Sequence, residues 1–265
     1  MFYVEPLSRL PFCSPSRGSF SPGTTLKRVS RCMLAALLLP GSTAFADNGV
    51  DPYSSAGLHS ITYDHYSLII DGKRTFIYSG EYHPFRLPSP DLWRDVFEKM
   101  KAAGFNAVST YFDWDFHSPA RGVYDFTGIR DLDRFLDEAA ASGIYVIVRP
   151  GPYINAETDA GGFPGWLTTI KGLARSTAPD YLAASDEWLS HVDPIIARHQ
   201  YTNGQGSVIA YQIENEYYVN TSEGRAYMQH LENKARADKI NVPFTGNHNN
   251  NFVTGLGATD IVGFD

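Results

Sequence analysis

The sequence predicts an α/β protein, a (β/α)₈ TIM barrel truncated after about six strands. Three observations carry this expectation. From Phe76 onward, short apolar runs alternate with helical periodicities, the pattern of a parallel sheet. Five successive strand ends then carry polar residues: Glu81 and His83; Asp113, Trp114 and Asp115; Arg149, Asn155 and Glu157; Glu214, Asn215 and Glu216; Asn247 and His248. Barrel enzymes hold their chemistry at those ends. A complete barrel takes about 250 residues and eight strands, more than the stretch from Phe76 to Asp265 supplies. The rival dinucleotide fold needs a glycine-rich turn after its first strand, and Ser79-Gly80-Glu81-Tyr82-His83 has no G-x-G-x-x-G.

The elements follow in order. Residues 61–70 read as one strand, Asp71-Gly72 as a hairpin turn and Phe76-Ile77-Tyr78 as its partner, which also opens the alternating series. Ser89 caps a helix with Pro90 at its first position; Leu92, Trp93, Val96, Phe97 and Met100 form one apolar face, and Gly104 stops it. Ala107–Tyr111 is the second strand. Leu132, Phe135, Leu136 and Ala139 mark the next helix, ended by Gly143. Ile144–Val148 is a continuous apolar strand, expected to be buried on both faces. A helix over Tyr181–Arg198 is expected to break or kink at Pro194. Val208–Ile213 is the fourth strand. Ser222 caps a helix carrying Tyr227, Met228, Leu231 and Ala235. Pro243-Phe244-Thr245 and Asp260–Gly263 are strands five and six.

Composition bounds the function. The chain has 265 residues, 43% of them hydrophobic, enough for a sizeable core. Its 22 Lys+Arg against 29 Asp+Glu leave a net charge of −7, which argues against nucleic-acid binding. The first 46 residues differ, with Arg9, Arg17, Lys27, Arg28 and Arg31 against Glu5 alone. Lys27, Arg28 and Arg31, then the apolar run Met33–Leu39, then Ala44-Phe45-Ala46 form the pattern of a secretory signal with a mature start near Asp47. That apolar run is far short of the roughly 20 residues that span a bilayer. We expect a secreted protein with three parts: a signal segment over 1–46, a linker and β-hairpin over 47–75, and a partial catalytic barrel over 76–265. Both cysteines, Cys13 and Cys32, fall in the signal segment, so no disulfide or thiolate site is expected in the body. Asn220-Thr221-Ser222 is a glycosylation sequon. No cofactor and no metal are expected, since His83, His117 and His248 lack H-x-x-x-H spacing.

Gln212-Ile213-Glu214-Asn215-Glu216-Tyr217 is the most informative segment. Side chains alternate along a strand, so Glu214 and Glu216 share a face unless the strand ends between them. Two acids at a barrel mouth suit glycoside hydrolysis, one protonating the leaving oxygen while the other attacks carbon or activates water. The bland alternative is a solvated or salt-bridged acidic strand end. His83 either orients a ligand or packs a loop. Trp114 and Trp166 either stack on sugar faces or pack in the core. Arg149 is expected to pair with a nearby acid.

Five segments occur together and in order: Ser79–Arg86 (SGEYHPFR), Gly104–Ser109 (GFNAVS), Val148–Glu157 (VRPGPYINAE), Gly161–Leu167 (GGFPGWL) and Gln212–Tyr217 (QIENEY). With them the chain, from about Ile61 to the end, resembles glycoside hydrolase family 35, the β-galactosidases, and most of all the secreted fungal members. The resemblance implies a (β/α)₈ catalytic domain, retaining chemistry and terminal β-galactosyl sugars as substrate. It implies that Glu216 is the general acid/base and that Asn215 contacts the sugar 2-hydroxyl. It implies further that Asn155, Ala156 and Glu157 form the galactose-binding run after strand three, Glu157 being a buried carboxylate, and that Tyr111 is a substrate-binding tyrosine at the end of strand two. Glu214 has no catalytic counterpart in that family and is expected to be structural. The family's nucleophile is a glutamate at the end of strand seven, which these residues do not reach; Asp260 and Asp265 are expected near that rim without matching its motif. Three functions therefore stand: a retaining β-galactosidase whose chain here is incomplete and inactive alone, a non-catalytic galactoside-binding fragment or degenerate paralogue, and another exo-β-glycosidase such as a β-glucosidase.

Overall fold

The computed structural model describes residues 58–248 and 252–263. The expected signal segment, both cysteines and the expected linker up to residue 57 lie outside the described residues, as does Asp265.

The run 61–70 is two strands and not one. Asp64 accepts the backbone N–H groups of Tyr66 and Ser67, folding the chain back on itself. Strands β1 (Ile61–Tyr63) and β2 (Leu68–Ile70) therefore pair antiparallel. The turn at Asp71 and Gly72, both at positive φ, leads to β3 (Lys73–Thr75), so the hairpin partner comes earlier than Phe76–Tyr78.

Six parallel strands follow in sequential order: β4 (Ser79–Glu81), β5 (Ala107–Tyr111), β6 (Tyr145–Arg149), β7 (Val208–Gln212), β8 (Phe244–Gly246) and β9 (Ile261–Val262). Sequential parallel pairing with helices between strands is the construction of a barrel wall. The strand β6 alternates. Val146 and Val148 are fully buried against the helices, while Tyr145, Ile147 and Arg149 on the other face are half-buried. The expected burial on both faces belongs instead to β7, every residue of which is buried.

The helices form for local reasons and are held by packing. Ser89 accepts the N–H of Asp91 across a first 3₁₀ turn, and α1 (Trp93–Ala102) buries Trp93 and Phe97. A short helix, α2 (Trp114–His117), was not expected; Asp113 caps it at the end of β5. In α3 (Leu132–Ala141) the four expected apolar residues are all buried. Gly104 and Gly143 end α1 and α3 at positive φ, where a side chain would strain the backbone. α4 (Pro179–Arg198) runs through Pro194 without ending. Buried Trp188, Leu189, Val192, Ile195 and Ile196 flank the proline, and their burial, about 1.5–3 kcal/mol for each large apolar side chain, outweighs the one hydrogen bond lost. α5 (Ser222–Ala237) is capped by Thr221, one residue before the expected Ser222.

Asp193 on α4 is wholly buried; Tyr211 donates to its Oδ1 at 2.9 Å, and Oδ2 has no hydrogen-bond partner among the described residues. Burial holds its pKa well above the ordinary carboxylate value, with Asp238 adding to the rise and Lys234 opposing it. A raised acid stabilises the fold fully below the unfolded pKa, near 3.9, and loses that contribution as pH rises through the folded value. Asp193→Asn should therefore raise thermal stability at pH 8 by roughly 1–3 kcal/mol and change it little near pH 4. A stability difference that does not vary with pH would contradict this account.

Candidate active site

The carboxyl ends of β4 to β8 surround a polar cleft of about 170 Å³. All six expected site residues, Tyr111, Asn155, Ala156, Glu157, Asn215 and Glu216, line it, joined by Glu81, His83, Arg149 and Asn247. A larger groove, about 670 Å³, lies between β1–β3 and the sheet. Its walls are mostly apolar and its charged pair, Arg74 and Asp64, is satisfied internally, so the smaller, polar cleft is the candidate site.

The segment after β7 leaves strand geometry before either glutamate. Glu214 and Glu216 both take positive φ, 59° and 47°, a conformation that costs a non-glycine residue about 1–2 kcal/mol. The two acids consequently part. Glu214, 1% exposed, is held by Arg175 Nε and Nη2 at 3.1 and 2.7 Å, by Tyr227 Oη at 2.8 Å and by the N–H of Asn215 at 2.8 Å. It is a structural ion pair. Glu216 is half-buried and lines the cleft, its N–H donating to Asn247 Oδ1 at 2.9 Å.

Asn215 is positioned with little freedom. Its Oδ1 accepts from Tyr111 Oη at 2.7 Å, Arg149 Nη2 at 2.9 Å, Asn247 Nδ2 at 2.9 Å and Gln212 Nε2 at 3.3 Å. A guanidinium can only donate, so this atom must be the oxygen, which leaves the Asn215 Nδ2 group as the donor to any ligand. The same reasoning fixes Asn247, whose Oδ1 receives both the Glu216 N–H and Gln212 Nε2. Arg149 pairs with Glu81 at 3.0 Å and lies 3.9 Å over the Tyr111 ring.

Asn155, Ala156 and Glu157 stand at φ 56°, 49° and 49°, three consecutive left-handed residues. Arg86 anchors the run, with Nη2 donating to the carbonyl of Ala156 at 2.5 Å and of Glu157 at 3.4 Å. Glu157 is exposed, contrary to its expected burial: the left-handed turn carries its side chain to the rim of the cleft. His83 accepts the N–H of Tyr111 on Nδ1, which puts its proton on Nε2. Burial, with help from Arg86 and Arg149, lowers its pKa to about 4, so it lines the cleft as a neutral donor.

Both tryptophans serve packing. Trp114 is fully buried among Trp166, Phe163 and Trp188, and Trp166 donates to the Ser118 carbonyl. Asp260 is at the opposite end of the sheet from the cleft, its Oδ2 accepting the N–H of Phe244 at the start of β8 and Arg236 Nη2. It is not near the nucleophile's rim. Among the described residues no group of three His, Cys, Asp or Glu side chains is placed to hold a metal ion. The contributions of Arg175 and Arg86 were missed, because neither residue lies at a strand end or in a periodic pattern.

The sequence profile of glycosyl hydrolases family 35 matches residues 67–260. The chain belongs to that family. It is 48% identical over 214 residues to a β-galactosidase of Aspergillus niger, a match covering 77% of this chain and 21% of that protein. It is 46% identical over 227 residues to β-galactosidase A of a Penicillium species, covering 81% and 22%. The family 35 chain thus spans about a fifth of the length of these relatives. Among solved structures it is similar to a GH5_18 protein of Streptomyces cattleya bound to GlcNAc, with TM-score 0.52, 15% identity, and 64% of this chain and 44% of that one covered. An exo-β-1,4-mannosidase from Opitutaceae bacterium strain TAV5 gives TM-score 0.52 at 13% identity, covering 65% and 32%. At such identities the likeness speaks for the fold alone. No helix among the described residues is long and apolar enough to cross a membrane.

Proposed function

We propose that these residues are the acid/base half of a retaining exo-β-galactosidase that removes terminal non-reducing β-D-galactosyl residues from oligo- and polysaccharides. The observation that carries the reading is convergence: Glu216, Asn215 and the run Asn155–Glu157, distant in sequence, line one cleft at the carboxyl end of a parallel sheet.

In this reading Glu216 protonates the glycosidic oxygen as the bond to the anomeric carbon breaks, then removes a proton from water in the second step. The Asn215 Nδ2 donor meets the 2-hydroxyl, a contact that strengthens as positive charge develops on the ring. Glu157 and Asn155 take hydroxyls of the galactose. The covalent step requires a nucleophilic carboxylate on the opposite side of the anomeric carbon. The family resemblance assigns it to a later strand, within the greater length of the relatives. The secretory route, read from residues 27–46, and a glycan on exposed Asn220, in the loop before α5, belong to the same proposal.

The test is Glu157→Ala in a chain of the relatives' length. Loss of a charged hydrogen-bond partner should lower kcat/KM on β-galactosides about 10- to 10²-fold. An unchanged value in a folded variant would remove galactose from this cleft.

A further inference from the structure

Arg175 joins two segments that the proposed reaction needs to keep in register. It lies between β6 and α4, itself at φ 58°. Its guanidinium stacks 4.0 Å from the ring of Tyr153, two residues before Asn155, and 5.3 Å from that of Tyr217, which directly follows Glu216. Tyr217 Oη donates back to the Arg175 carbonyl at 3.0 Å. Toward the acid/base segment, Nη2 donates to three acceptors: Glu214 Oε2 at 2.7 Å, the Asn215 carbonyl at 2.6 Å and the Glu216 carbonyl at 3.4 Å. Glu214 turns its Oε2 onto the N–H of Asn215 and its Oε1 onto Tyr227 Oη, which is itself within 3.1 Å of Tyr181 Oη. The peptide carrying the general acid is therefore gripped at a backbone N–H by Glu214 and at carbonyls by Arg175. Those grips hold Glu214 and Glu216 in left-handed conformations that regular strand pairing does not supply.

We propose that Arg175 and Glu214 are a positioning pair for the general acid, setting where the Glu216 carboxyl meets the leaving oxygen. The inference rests on the galactosidase reading above. The pair touches no substrate: Glu214 is 1% exposed, and neither residue lines the cleft. Its influence passes through the backbone of residues 214–216. A lysine in place of Arg175 keeps the charge but ends one bond sooner in a single nitrogen, so it cannot hold Glu214 Oε1, as Nε does, together with Oε2 and the two carbonyls, as Nη2 does.

The experiment compares Arg175→Lys, Glu214→Gln and Glu216→Gln with the unaltered enzyme, in a chain of the relatives' length. The substrates are an activated dinitrophenyl and an unactivated alkyl β-galactoside, with galactose as a competitive inhibitor. Misplaced proton donation should lower kcat on the alkyl substrate by about 10²-fold, while the dinitrophenyl substrate, which needs little protonation, loses less than about 5-fold. The galactose inhibition constant should stay within about 3-fold, which also certifies the fold. Tyr227→Phe, which removes one donor from Glu214 and leaves the ion pair, should shift the ratio in the same direction by a smaller factor; it carries the test if the ion-pair variants do not fold. Equal losses on both substrates, or no loss, would overturn the positioning role while leaving the galactosidase reading intact. Failure of the unaltered enzyme on both substrates would overturn that reading itself.

Discussion

Glu216→Gln should lower kcat/KM on unactivated β-galactosides by roughly 10³- to 10⁴-fold, with a far smaller loss on activated aryl galactosides. The residue lines the cleft through a side chain that has no ion pair or hydrogen bond among the described residues, while its backbone N–H is held by Asn247. A glutamine fills the same space and cannot release a proton. A poor leaving group must then depart as an alkoxide, whereas a dinitrophenolate departs without help. The dependence of rate on leaving-group pKa should therefore steepen. Equal losses across the series would take Glu216 out of the acid/base role.

Residues 47–265 by themselves should show no turnover of even an activated aryl β-galactoside. Retention requires two carboxyl groups about 5–5.5 Å apart across the scissile bond. Among the cleft carboxylates, Glu81 is tied to Arg149 and Glu157 belongs to the proposed sugar-binding run. Neither matches the nucleophile of the family. Weak galactose affinity is expected to persist, because the contacts that hold Asn215 and Asn155–Glu157 are all internal to these residues. The assay is hydrolysis by the homogeneous chain, with Glu216→Gln as the control for contaminating enzyme. Turnover that disappears with Glu216 would mean that another carboxylate or a second chain supplies the nucleophile.

Much of this architecture was readable from residue order. The second strand, Ala107–Tyr111, and the helix built on Leu132, Phe135, Leu136 and Ala139 agree with their apolar periodicities, since burial against a sheet imposes those periods. Polar residues at four of the five strand ends line the cleft, because a parallel sheet brings its carboxyl ends to one edge; Asp113, Trp114 and Asp115 after the second strand do not. The amino-terminal hairpin departs from its apolar pattern for a local reason: Asp64 redirects the backbone with its own side chain, and no hydrophobic pattern records that.

The sequence by itself therefore determined the class of fold, the order of its strands and the segments that meet at the site. Only the tertiary structure decided how individual side chains are used there. Glu214 and Glu216, two residues apart, go to a buried ion pair and to the cleft respectively, and Arg175, which separates them, is 39 residues away from Glu214. Glu157 stands at the rim, Trp114 in the core, and Asp260 at the far end of the sheet. Residue spacing assigns a direction only while the backbone stays regular. Where φ turns positive, at 155–157 and at 214 and 216, direction is set by partners such as Arg86 and Arg175 that arrive through the fold.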